Sequence, residues 1–200
     1  MSNDPQDDFS VPYEKLPPAG KPVLEVPVTL SGTTGVTVTA GGGTRRVLAT
    51  RADFATGAGE VMALARRELR IFDTDLSELG FNTPQVEEML TNFLRGDRTN
   101  RLLIAVREDE YIVQSCPRLI RLLRQFSHAI FINQISDSIR NVEDIMLIAD
   151  DAHYLRRPNF EQPKGVVILN DAGETRGWLN RFEEIWEKSA PAVTATTIGL

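Results

Sequence analysis

The chain has 200 residues, 42% of them hydrophobic, and a formal net charge of −6. This composition is ordinary for a protein with one buried core, and the acidic balance excludes a surface built throughout for nucleic acid. The longest apolar runs fall short of the ~18 residues of a membrane-spanning helix. The acidic start of the chain does not resemble a secretory signal, and the single cysteine, Cys116, excludes an internal disulfide. We therefore expect a cytoplasmic protein with no membrane contact.

The first 44 residues differ in composition from the rest of the chain. Residues 1–21 are acidic, contain four prolines and have few large apolar side chains, which predicts a flexible leader. Valine and leucine then alternate between Pro22 and Ala40, and the prolines in this segment favour an edge strand or a loosely attached hairpin. The strand can join a sheet edge of its own domain or that of a partner, and the flexible joint that Gly41–Gly43 predict favours a partner or a dimer mate. Residues 45–200 are expected to form the folded domain.

Strands and helices alternate along this domain. Apolar runs and helical spacing predict strands at 47–50, 69–72, 102–106, 130–135, 145–148 and 166–169, with a loop between the last two, and helices from Asp53, from Thr83 to Gly96, at 111–126 with a break at Pro117, and at 174–188. Unbroken aliphatic strands between helices indicate a sheet that is covered on both faces. The predicted fold class is α/β, with a mixed, mostly parallel sheet flanked by helices.

This order of elements resembles half of a phospholipase D-like fold. Two local features support the resemblance, namely Asp150 directly after a buried strand and the Phe182-x-x-x-Trp186 pattern in the last helix. The active pattern of that superfamily is His-x-Lys-x-x-x-x-Asp, in which histidine attacks phosphorus and lysine neutralises phosphate oxygens. With Asp150 set on the aspartate, Glu143 takes the place of the histidine and Ile145 that of the lysine. The resemblance therefore implies a fold from which the catalytic pair is missing.

The polar motif that often follows in the superfamily, Gly-Ser-x-Asn, is also absent in register. Residues 157–160 read Arg-Pro-Asn-Phe, so that Asn159 stands one place from the expected asparagine. A carboxylate at the nucleophile position repels phosphate, and isoleucine offers neither charge nor hydrogen-bond donor. We expect no phosphodiesterase activity.

A second resemblance is to a bacterial family of uncharacterised domains often found behind a GNAT-type acetyltransferase domain. It is based on four segments, Glu68–Asp73, Cys116–Arg124, Phe126–His128 and Arg181–Trp186. The Gly-containing loop that cradles the pyrophosphate of coenzyme A does not occur before Thr44. The resemblance therefore implies a fold and a bacterial cytoplasmic setting, but no acetyl transfer and no cofactor.

Acidic residues and histidines after predicted strands are the first candidates for a site. Asp73 follows the strand at 69–72, where a carboxylate can meet a ligand, although turn formation and capping explain it equally well. His153 lies close to Asp150 and Asp151, a grouping that can make a base or part of a metal site. A hydrogen bond between a loop histidine and a carboxylate explains the same grouping, and we expect no metal.

Arginines supply the second candidate. Arg118, Arg121 and Arg124 recur every three residues and so line one ridge of a helix, with Arg95, Arg98 and Arg101 nearby in sequence. Guanidinium groups suit phosphate or an acidic partner, although an amphipathic helix needs a polar outer face in any case, and no aromatic residue is interleaved for base stacking.

The sequence thus favours a non-catalytic binding or regulatory module, acting on a protein partner or as a homodimer. One alternative is a nucleic-acid or ribonucleoprotein accessory that uses the arginine ridge. The other is a hydrolase with an unrecognised site of aspartates and histidine.

Overall fold

Strands and helices occupy most of the chain in the computed structural model, which describes residues 36–39 and 41–194. The strands are β1 (Val36–Val38), β2 (Thr44–Leu48), β3 (Glu68–Asp73), β4 (Arg101–Val106), β5 (Ile130–Ile135), β6 (Ile145–Ala149), β7 (His153–Arg157), β8 (Gly165–Leu169) and β9 (Ser189–Val193). The helices are α1 (Arg51–Leu64), α2 (Pro84–Gly96), α3 (Glu110–Ser115), α4 (Pro117–Gln125) and α5 (Ala172–Glu187), with a 3-10 turn at Asp137–Ile139.

Within the described residues all these strands join one sheet in the order β1-β2-β8-β7-β6-β3-β4-β5-β9. The α/β class and the mixed sheet flanked by helices are confirmed, but the expected mostly parallel pairing is wrong. Only β3, β4 and β5 pair in parallel, because helices connect them, whereas the other neighbouring strands are antiparallel. The turns from β6 to β7 and from β7 to β8 are too short for a parallel crossover.

The sheet separates two apolar layers. Alternate residues of the strands, such as Ile71, Ile104 and Leu147, face the helices α1 to α4. The residues between them, such as Phe72 and Met146, face α5. The central strands are therefore buried on both sides, as their aliphatic runs predict.

Local signals explain where the main helices begin. Thr83 caps α2 and Pro84 takes its first position, as predicted. The cap of α1 is Thr50 rather than the expected Asp53, which instead completes a capping box by accepting the backbone N–H of Thr50. Pro117 begins α4 directly after α3, so the predicted break in this helical segment is confirmed.

Two strands were not predicted. The segment expected to be a loop contains β7, and the chain after α5 contains β9. The sequence pattern does not indicate β7, because the consecutive charges of Arg156 and Arg157 are typical of an exposed loop. In the structure Asp144 and Glu78 pair with these two guanidiniums, which allows the strand to lie within the sheet.

The expected glycine joint is a tight turn between β1 and β2. Gly42 has a φ of +79°, and the N–H of Thr39 donates to the carbonyl of Gly43 at 2.9 Å. Val36–Val38 pair with the chain's own β2 rather than with a partner, because this turn returns the chain onto its own sheet. The remainder of the predicted leader, residues 1–35, lies outside the described residues.

Candidate functional site

The last residues of β3 and β7 and the first residues of β6 lie together at one edge of the sheet, where edge means the line along which strands end. Phe72 pairs with Met146, so Asp73 lies beside Ile145, which in turn pairs with Arg157. The segments that leave β3 and β4 or enter β6 bring further carboxylates to this edge: Asp75, Glu78, Glu108, Asp109, Glu143 and Asp144. We call it the carboxyl edge. The carboxyl ends of the parallel strands β3 and β4 lie at this edge, and α/β proteins commonly bind ligands at the carboxyl ends of parallel strands.

Asp73 is buried at this edge, with 3% of its surface exposed. Its Oδ1 accepts the N–H of Thr74, and its Oδ2 has no hydrogen-bond partner in the described part of the chain. Burial, with a smaller contribution from the charge of Asp75, raises the pKa of Asp73 to about 7, although Arg157 opposes the shift. A carboxyl group with this pKa can exchange a proton near neutral pH, which is the property required of an acid or base.

The raised pKa predicts how stability depends on pH. Folded Asp73 holds a proton that the unfolded chain, with the ordinary pKa of 3.8, releases. The free energy of unfolding should therefore fall as pH rises, by about 2 kcal/mol between roughly pH 5 and pH 7, and level off above the folded pKa. Urea unfolding at both pH values should show that Asp73→Asn removes this fall. An unchanged pH dependence in the variant would contradict the assignment to Asp73.

Arg157 fills the space next to Asp73. It is 2% exposed, donates from Nη1 to Glu78 at 2.5 Å, and stacks on the ring of Phe54 at 4.5 Å from the centroid. Glu78 also pairs with the exposed Arg51. The carboxylate of Glu78 and the ring of Phe54 therefore compensate the charge of a guanidinium that is closed to solvent.

The residues at the positions of the catalytic pair lie at the same edge. Glu143 accepts a hydrogen bond from Asn159 Nδ2 at 2.8 Å, and its carbonyl accepts the N–H of Phe160 at 3.2 Å. Ile145 is 1% exposed and belongs to the core. At these two positions the edge therefore presents a carboxylate tied to an amide and a buried aliphatic side chain.

Asp150 lies at the opposite end of β6, in the turn to β7. Its carboxylate accepts the backbone N–H groups of Arg66, Arg67 and Glu68 at 3.0, 2.8 and 2.9 Å. His153 follows this turn, and its Nδ1 accepts the N–H of Asn170 at 3.1 Å. Burial lowers the pKa of His153, against the charges of Asp150 and Asp151. The structure therefore places Asp150 and His153 together but separates both from Asp73.

The arginine ridge lies on α4. Arg118 and Arg121 both pair with Glu87 of α2, and the hydrogen bond from Arg118 lowers the pKa of Glu87. Arg124 also has an interaction partner. The ridge is thus partly neutralised by the neighbouring helix, which the sequence alone does not indicate.

The described residues contain no group of three or more His, Cys, Asp or Glu arranged to hold a metal ion. Their helices are also too short or too polar to cross a bilayer.

Residues 50–196 match the model of a protein family described as Domain of unknown function (DUF7931). The chain belongs to this family. The match covers every element from α1 to β9. The DUF7931 domain therefore includes the residues described at both ends of the central strands, but not the hairpin of β1 and β2. No curated protein matches the chain.

Several solved structures have a similar fold. Nuc from Salmonella typhimurium, a phospholipase D family member, has a TM-score of 0.54 at 12% identity, over 76% of this chain and 99% of Nuc. TrmBL2, an archaeal chromatin protein whose structure shows a novel mode of DNA binding, has a TM-score of 0.56 at 12% identity, over 74% of this chain and 54% of TrmBL2. Phosphatidylserine synthase from Haemophilus influenzae Rd KW20 has a TM-score of 0.53 at 13% identity, over 84% of this chain and 43% of the synthase. The DUF7931 chain thus has a phospholipase D-like fold and spans about half of two of these proteins.

Proposed function

We propose that this DUF7931 chain is a non-catalytic binding module of the cytoplasm. The observation that carries the proposal is Ile145, whose buried side chain occupies the position of the phosphate-neutralising lysine in the resemblance to phospholipase D-like enzymes. Glu143, at the position of the nucleophile, adds a negative charge where the substrate is negative. Neither the association with an acetyltransferase nor the homodimer is tested by these findings, and both stay predictions.

The proposal predicts an absence of phosphodiesterase turnover. Enzymes of this kind accelerate reactions by about a millionfold or more, so an active site would be unmistakable. Hydrolysis of a nitrophenyl phosphodiester by the full chain should equal that of a heat-inactivated sample. Turnover above this background that is lost in both Glu143→Gln and Asp73→Asn would place catalysis at the carboxyl edge and overturn the proposal. Asp151→Ala, an exposed change in a turn at the other edge, is the matched control.

Two alternatives have less support. A hydrolase that combines Asp73, Asp150 and His153 needs groups that lie at opposite ends of β6 and β3. A nucleic-acid accessory that uses the arginine ridge needs cations of which two already pair with Glu87. TrmBL2 binds DNA, and its similar fold supports nucleic acid as a class of ligand for this chain. The similarity does not favour the arginine ridge as the surface that binds it.

A further inference from the structure

The edge opposite the carboxyl edge carries several exposed arginines. Because β3, β4 and β5 are adjacent and parallel, the turns that enter them meet along one side of the sheet. These turns follow α1, α2 and α4 and cover residues 65–67, 97–100 and 126–129. We call this side the entry edge. Glu143 and Ile145, which the phospholipase D-like resemblance aligns with the catalytic pair, lie at the other end of the strands.

Arginines project from each side of the β3–β4 junction at the entry edge. Arg66 and Arg67 precede β3, Arg98 precedes β4, and Arg101 begins β4. The backbone N–H of Arg101 donates to the carbonyl of Arg67 at 2.9 Å, which places the two turns side by side. Nη1 of Arg101 donates to the carbonyls of Arg98 and Asn100, both at 3.0 Å, so its guanidinium stays near the 97–100 turn.

The neighbouring carboxylates form no ion pairs with these guanidiniums. Glu68, which is opposite Arg101 in register, pairs with Arg70 at 2.8 Å. Asp97 accepts the N–H and the hydroxyl of Thr99 at 2.8 and 2.7 Å, and Asp150 accepts the three backbone N–H groups described above. Asp151 is exposed in the same turn as Asp150. Within the described part of the chain, Arg66, Arg67, Arg98 and Arg101 form no ion pair.

An exposed aromatic residue lies on β5, the strand next to the one that Arg101 begins. Phe131 of β5 is 40% exposed and pairs in register with Leu103 of β4. Because alternate residues of a strand share a face, Arg101 lies on the same face as Leu103 and Phe131, one side-chain position closer to the entry edge. An aromatic ring next to arginines that are not ion-paired can stack a nucleobase while the guanidiniums contact phosphates.

Resting on the binding-module function above, we propose that the entry edge binds single-stranded nucleic acid without strict sequence preference. Arg66, Arg67, Arg98 and Arg101 hold phosphates, and Phe131 stacks a base. A flexible single strand exposes base faces to Phe131, whereas the bases of a duplex are already stacked.

The test is fluorescence anisotropy of a labelled, mixed-sequence, single-stranded oligonucleotide with the full chain, at about 50 mM salt and above. The salt slope is the slope of the logarithm of the binding constant against the logarithm of the salt concentration. Each lost phosphate contact reduces its magnitude by about 0.7. The variant Arg67→Gln/Arg98→Gln/Arg101→Gln should bind at least about tenfold more weakly and reduce the slope by about 2. The matched triple Arg118→Gln/Arg121→Gln/Arg124→Gln should change affinity less than about twofold. Thermal unfolding checks that both triples fold.

The stacking step has its own readout. Phe131→Ala should weaken binding by about fivefold or more and leave the salt slope unchanged, because it removes a ring and no charge. Val113→Ala, a truncation of an exposed apolar residue on α3, should have no effect. A Phe131→Ala variant with wild-type affinity would overturn the role of the ring.

Three results would overturn the proposal as a whole. They are an oligonucleotide that stays unbound at about 50 mM salt, equal competition by polyglutamate or by vesicles of anionic lipid, and equal loss of binding in both arginine triples. Cleavage of the oligonucleotide by the wild-type chain would overturn the non-catalytic function instead. An intact but unbound oligonucleotide would refute only the entry-edge site, so the two failures are distinguishable.

Discussion

Arg157→Met should lower the free energy of unfolding by about 2 kcal/mol, because it removes a buried, charged hydrogen bond to Glu78, which then pairs only with Arg51 at the surface. Arg157 is 2% exposed, and its guanidinium contacts Glu78 and the ring of Phe54. Methionine has a similar length but offers neither a charge nor a hydrogen bond to Glu78. Urea unfolding at constant pH and salt measures the difference.

Arg51→Met is the matched control, since Arg51 pairs with the same Glu78 carboxylate but its side chain is 65% exposed. This change should cost less than about 1 kcal/mol, because water and salt screen a surface pair. The difference between the two variants therefore isolates the effect of burial. If Arg157→Met were as stable as the wild type, apolar packing would have replaced the pair without cost, and the pair would not stabilise the carboxyl edge.

Asp150→Ala should lower the free energy of unfolding by about 2–3 kcal/mol, because three backbone N–H groups lose one charged acceptor. The bonds to Arg66 and Arg67 lie at the surface, where water replaces part of the loss. The bond to Glu68 is partly buried and accounts for more of it. Asp150 also has a φ of +55°, a left-handed conformation that aspartate and asparagine tolerate better than alanine.

Two companion variants separate these causes. Asp150→Asn keeps the left-handed preference and one acceptor oxygen, so its loss should be roughly half that of Asp150→Ala. Asp151→Ala removes the neighbouring exposed carboxylate and should change the free energy of unfolding by less than about 0.5 kcal/mol. Equal stability of Asp150→Ala and the wild type would show that the turn from β6 to β7 does not need this carboxylate.

Local features predicted most of the helices and the aliphatic strands. Thr83 and Pro84 mark the start of α2 through contacts within a few residues, so no tertiary information is needed. The strand β7 was missed because the partner of Arg157, Glu78, is 79 residues away in sequence. The direction of the strand pairs was also misjudged, since it depends on which connections are helices and which are tight turns.

The candidate site shows the same division. Glu143 and Ile145 were aligned with the catalytic pair of the resemblance by spacing alone, and both lie at one edge of the sheet in the structure. Asp150, also chosen by spacing, lies at the other end of its strand and binds backbone amides. A spacing identifies which residues share a strand, but not which groups the rest of the chain brings to each end.

The sequence by itself determined the alternation of strands and helices and the residue types at the two positions aligned with the catalytic pair, because both depend on residue type over short distances. Tertiary structure alone decided which arginines remain without an ion pair. Glu87 of another helix pairs with Arg118 and Arg121, whereas Arg67 and Arg98 have no such carboxylate within the described residues. It also brought Phe131 opposite Leu103, two residues along β4 from Arg101, since the register of β4 and β5 joins residues that are far apart in the chain. Charge pairing and strand register are non-local, and they place the proposed nucleic-acid surface at the entry edge.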